Sequence, residues 1–178
     1  YGGKSQGDMF ITCATIAQSY LLLITSSMIG ISGGTQAILS YNYGARRADR
    51  VKDAERNILG VMLIFTTIMF LLSRLVPRYF VLLFTSDPQY ISFSVWAIHT
   101  YTLMIIPLSF QYVFVDGLTA LDRPKTGLAL SVTRKSLFVL SAAILPVFFD
   151  AKAAFFAEPV ADGVCSVLST VVFLLLIN

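Results

Sequence analysis

The sequence predicts an all-α membrane protein of five spans, and three observations carry that prediction. Hydrophobic residues make up 56% of the 178 and charged residues 13%, about half the charged share of a soluble domain, which is roughly 25%. Between Asp8 and Arg46, and again from Pro88 to Val115, no Asp, Glu, Lys or Arg occurs; each run exceeds the ~20 apolar residues that cross a bilayer. The third observation is the connector "SYNYGARRADRVKDAERN" at 40–57, which concentrates Arg46, Arg47, Arg50, Lys52 and Arg56 between two apolar stretches.

Taken in order, the expected spans cover about 10–40, 58–76, 91–120, 127–149 and 158–177. The shorter ones extend past flanking charges whose long side chains can reach the interface. The basic connector lies on the cytoplasmic side by the positive-inside rule. Arg123 and Lys125 then fall on that same side, giving seven basic residues against Lys4, Arg74, Arg78 and Lys152 opposite. The chain thus starts outside and its C-terminus is cytoplasmic, as in a multi-pass protein of a bacterial-type inner membrane. The opening "YGGKSQGDMF" has neither an initiator Met nor the basic-then-apolar pattern of a secretory signal, and reads as part of a longer chain.

From Ala45 the connector is composed of good helix formers, with Asp49 spaced to meet Lys52 and Asp53 to meet Arg56. This reads as a short solvated helix. In the first span, Gly30, Gly33 and Gly34 predict close helix contact, and Gln36 beside them is a candidate for a water-filled pathway or an interhelical hydrogen bond. Cys13 and Cys165 fall in apolar spans as small hydrophobic side chains and form no disulfide. One His and no clustered Cys leave no metal site, and a net charge of +3 spread around a membrane excludes a nucleic-acid partner.

The third span carries Thr102, Ile105, Ser109, Tyr112, Asp116 and Thr119 at helical spacing on one face. All but Ile105 are polar, so the face meets protein or water and not lipid. Pro107 among them predicts a bend. Thr102, Ser109, Tyr112 and Asp116 join Gln36 as pathway candidates. His99, Trp96 and Tyr101 read as an interfacial belt. Glu158, Pro159 and Asp162 open the fifth span at the outer surface, where the acids favour the positive end of the helix dipole. A fold-back near Lys125 sets Asp116 level with Arg134 and Lys135, and pairing would offset the desolvation each charge suffers alone. No nucleophile with a base, paired catalytic carboxylates or metal signature points to an enzyme.

The segments "GGTQAILSYNYGARRADRVKDA", "FVDGLTALDRPKTGLALSVTRK" and "FFAEPVAD" together resemble the C-terminal half of a multidrug and toxic compound extrusion (MATE) transporter. Gln36, Tyr41, Asn42, Tyr43, Gly44 and Ala45 form the most specific motif. The resemblance implies most of one six-helix lobe of a twelve-helix transporter, its N-terminal lobe and preceding helix lying outside the chain. It implies a secondary active efflux transporter, with alternating access between lobes and with antiport of organic cations or drugs against sodium ions or protons. It implies no cofactor, and a small cationic or amphipathic substrate, the lipid bilayer and the N-terminal lobe as partners. Ala37 departs from the Pro common after the motif Gln, and the family's tenth-helix acidic position falls nearer Ser109 than Asp116. A lipid or lipid-linked glycan flippase of related architecture and a non-transporting membrane scaffold are the alternatives.

Overall fold

Inside a bilayer no water satisfies backbone polar groups, so an apolar run must close its own hydrogen bonds, and an α-helix does this within one segment. The computed structural model describes residues 4–177. Its elements are α1 (Lys4–Gly44), α2 (Ala48–Leu75), a short α3 (Pro77–Val81), α4 (Pro88–Tyr101), α5 (Ile105–Ala120), α6 (Pro124–Phe148), a 3-10 helix (Ala151–Phe156) and α7 (Ala157–Ile177). The helices α1, α2, α6 and α7 with its 3-10 lead are long and apolar enough to span, and α4 with α5 makes a fifth span as a bent pair. The five expected spans fall within these elements to within a few residues.

The central helix is α5, packed against α1, α2, α6 and α7, and its Ile105, Leu108 and Leu118 are completely shielded. It meets α4 at 47°. The break lies just ahead of Pro107, at Thr102–Met104. Pro107 is the third residue of α5, where a backbone N–H would have no intrahelical acceptor. The ring therefore costs nothing in α5, yet it denies the α4 ladder a donor for crossing the break.

Most hydroxyls at depth are satisfied locally or across helices, those of Ser94 and Ser169 excepted among the described residues. Thr15, Ser19, Ser26 and Thr66 each donate to the carbonyl four residues back, a habit that keeps a polar side chain paired in an apolar medium. Across helices, Ser32 donates to the Tyr112 carbonyl at 3.2 Å and Ser40 to the Ala120 carbonyl at 3.1 Å, fastening α1 to α5.

Two turns at the same end of the bundle share one geometry. Arg46 and Asp122 take positive φ, 55° and 61°, and the next N–H reaches back five residues: Arg47 to Asn42 and Arg123 to Leu118, both 2.9 Å. This is the Schellman ending, whose left-handed position usually holds glycine.

Two expectations are corrected here. The connector holds no separate helix, because its basic stretch from Ala48 is the first part of α2 and runs unbroken into the second span. Neither Asp49–Lys52 nor Asp53–Arg56 closes, and the salt bridges among the described residues are both made by Arg134. Gly30, Gly33 and Gly34 do not mediate close contact, since a Cβ at each would have no atom within 4 Å. The glycines that do are Gly117, where a Cβ would meet the Glu55 side chain, and Gly127, where it would stand 2.8 Å from Thr119 Oγ1 and 3.0 Å from the Val115 carbonyl oxygen. We expect Gly127→Ala to destabilise the full-length polypeptide by about 1–3 kcal/mol through overpacking against backbone. Gly60→Ala on α2, where a Cβ also meets nothing within 4 Å, should be neutral or stabilising by up to ~1 kcal/mol, from helix propensity. Thermal unfolding in detergent compares the two.

Candidate functional site

Placing charge inside an apolar bundle is costly unless it is paired, and the structure gathers three of its four buried charged side chains among the described residues in one cluster between α6 and α7. Arg134 on α6 is 8% exposed. Its Nε donates to Asp162 Oδ1 at 2.7 Å and its Nη2 to Glu158 Oε1 at 3.4 Å. The guanidinium carbon lies 5.8 Å from the Tyr112 ring centroid on α5. Asp162 is 0% and Glu158 3% exposed, and Asp162 Oδ2 is shielded without a hydrogen-bond partner among the described residues. Two carboxylates against one guanidinium leave a formal charge of −1 in a site closed to solvent.

The local sequence explains this placement. Glu158 and Asp162 stand four apart, hence on one face of α7, and Glu158 lies in the first turn, where the helix dipole favours an acid. The preceding 3-10 helix is half-buried, with Lys152 and Phe156 exposed and one residue turned inward. Its Phe155 is buried against Phe93, Trp96 and Tyr101, with ring centroids 5.3, 5.5 and 5.7 Å apart, and this carries the start of α7 into the bundle.

Several expectations change accordingly. Asp116 does not pair with Arg134 or Lys135: it is half-buried and makes no ion pair among the described residues. The turn is centred near Asp122–Arg123 and not Lys125, so position 134 stands level with Tyr112, about one helical turn deeper than Asp116. Lys135, the next residue around the helix, is exposed. Glu158 and Asp162 are partners of a buried arginine and not surface helix-starters. Tyr101 is buried and Trp96 half-buried, both packed on Phe155. His99 is half-buried beside them, and its carbonyl accepts from Arg74 Nη1 at 2.8 Å.

The polar stripe divides. Thr102 donates to Ser73 Oγ at 3.0 Å and Ser109 shares a hydrogen bond with Thr66 at 2.8 Å, so both are satisfied by α2. Tyr112 faces the arginine cluster, and Thr119, exposed, bonds the Val115 carbonyl. Gln36 is half-buried on α1, apart from these groups. Sequence reasoning noticed the four-residue spacing of Glu158 and Asp162 but not the inward course of the 3-10 helix, which only the run of aromatic residues around Phe155 signals.

Sequence comparison matches the chain to the MatE family over residues 3–145. The chain belongs to the MatE family. It is 26% identical over 136 residues to a protein of Shewanella oneidensis named as a FAD transporter, covering 76% of this chain and 29% of that protein. The fold matches a MATE crystallised in complex with MaL6 (TM-score 0.89, 14% identity, 96% of this chain and 39% of that one). It also matches an inward-facing multidrug resistance MATE family transporter of the MOP superfamily (TM-score 0.84, 14% identity, 90% and 38%). This chain thus spans under half the length of the relatives it matches, and its fold is that of part of a MATE bundle.

Removing Arg134 strands two buried carboxylates. Arg134→Met is expected to cost about 3–5 kcal/mol, and combining it with Glu158→Gln and Asp162→Asn to recover most of that loss. Unfolding midpoints of the full-length polypeptide in detergent measure both.

Proposed function

We propose that this chain is the C-terminal lobe of a secondary active efflux transporter that exports organic cations or amphipathic drugs by antiport. The observation that supports the reading is the acid excess around Arg134. A buried −1 cluster is a place where charge uptake and conformational change are coupled, because the cost of leaving it unneutralised depends on which state of the bundle surrounds it. Arg134 already occupies the cation position between Glu158 and Asp162, so a proton is the coupling ion that fits, in preference to sodium. The orphan oxygen of Asp162 offers it an acceptor.

The exposed face of α1 supports alternating access. Ser26, Ser27, Gly30, Gly33, Gly34 and Tyr41 are all exposed on a helix long enough to span, and polar or small residues at depth favour a pathway or a partner lobe over lipid. In this reading the basic turns are cytoplasmic, the N-terminal lobe covers α1, and transport moves the substrate without covalent chemistry. A second reading follows from the named relative: the substrate is an anionic, aromatic dinucleotide such as FAD, drawn to the basic end.

The test uses the full-length polypeptide in proteoliposomes. We expect gradient-driven movement of a cationic dye with protons and not with sodium alone, abolished by Asp162→Asn in protein of normal thermal stability. Movement of FAD without the dye would select the second reading. No gradient-dependent movement of either would overturn both.

A further inference from the structure

A second constellation lies at the basic end of the bundle, its lining sharing none of Arg134, Glu158 and Asp162. There α1, α2, α5, α7 and the two Schellman turns surround a cavity of about 730 Å³, within the ~300–1,000 Å³ usual for small-molecule sites. Its walls are apolar, with Phe114 and Phe173 stacked 4.3 Å apart. Its basic lining consists of Arg46, Arg47, Lys52, Arg56 and Arg123. In the same wall is Glu55, 8% exposed, with neither carboxylate oxygen bonded to any donor among the described residues. Gly117 makes room for it, since a Cβ there would stand 2.5 Å from Glu55 Oε1. The neighbouring Asp116 adds a second carboxylate within electrostatic reach.

Two features point to what fills the cavity. Shielded carboxylate oxygens require N–H or O–H donors, yet the five cations around the same cavity form no salt bridge with Glu55. Arg46 also occupies a left-handed position that glycine takes more cheaply, and a strained side chain retained at a cavity is a pointer to function. Beside it α2 begins at Ala48 with no side-chain cap on its free N–H groups, an arrangement suited to phosphate.

We propose that this cavity binds the headgroup of an aminophospholipid. The phosphate meets the arginines, Lys52 and the α2 N-terminus, and the primary ammonium donates to Glu55. The acyl chains leave past the apolar part of the lining, Leu59, Phe114, Phe173 and Leu176. A quaternary ammonium fits less well because it has no N–H to donate. The hydroxyls of a phosphatidylglycerol headgroup are neutral donors and bind the carboxylate more weakly than an ammonium does.

The experiment incubates the full-length polypeptide with equimolar phosphatidylethanolamine, phosphatidylcholine and phosphatidylglycerol of matched chains, and reads retained lipid by native mass spectrometry. The expected result is a roughly tenfold preference for phosphatidylethanolamine over phosphatidylcholine, the fold-change of one charge-assisted hydrogen bond. Glu55→Gln, which keeps the side chain's shape, should abolish the preference. Gly117→Ala, which drives a methyl onto the carboxylate, should weaken it, and this variant also decides the matter where Glu55→Gln does not fold. Lys52→Gln should lower retention of all three lipids. Equal retention of phosphatidylethanolamine and phosphatidylcholine, or a preference unchanged in Glu55→Gln and Gly117→Ala, overturns the proposal. Competition by free phosphoethanolamine as strong as by the lipid overturns its assignment to a membrane source.

Discussion

The ion cluster of Arg134 with Glu158 and Asp162 fixes α6, which packs on α5, α7 and the 3-10 helix yet buries few of its side chains. Among the buried residues of α6 are only Gly127 and Leu130 besides Arg134, and its outer face presents Leu128, Val132, Val139 and Leu140 to the surroundings. In lipid, apolar contact alone gives neighbouring helices little reason to associate. A guanidinium held by two acids of α7 and lying toward the Tyr112 ring supplies that reason and fixes both depth and rotation. Gly127 completes the attachment by letting the α5 backbone approach.

A buried charge pair is weak evidence for stability as such, since well-packed apolar replacements often do as well. Here the arrangement is also unbalanced: two acids share one base, and one oxygen of Asp162 has no donor. A site built only to hold two helices together needs no surplus carboxylate, whereas one that changes charge during a cycle does. The break ahead of Pro107 lies near this cluster along the α4–α5 span and leaves α5 free to hold Tyr112 against Arg134 at its own angle. Ser109 on α5 and Thr102 in the break, both locked to α2 by hydroxyl pairs, form the fixed side of the same span.

Much of this fold was legible in the sequence, because the bilayer demands long charge-free runs. The bend was legible for a similar reason, since a proline's missing donor is a local fact. Burial of Thr102 and Ser109 followed from helical spacing. What could not be read was rotation and backbone course. Counting residues from a turn placed Asp116 opposite Arg134, but a two-residue shift in the turn's centre displaces the register by a whole helical turn. The inward path of the 3-10 helix, which turns Glu158 and Asp162 from apparent surface acids into partners of Arg134, depends on aromatic packing around Phe155 that hydropathy does not encode. Glu55 escaped notice because it is embedded among charges in sequence, and only the fold shows that it alone of that connector's acids is buried.

The central claim is that the Arg134 cluster takes up a proton, and infrared difference spectroscopy of the full-length polypeptide on acidification tests it most directly. The account predicts a protonated-carboxyl band in the wild type that disappears in Asp162→Asn or Glu158→Gln. A spectrum identical in the wild type and both variants would contradict it.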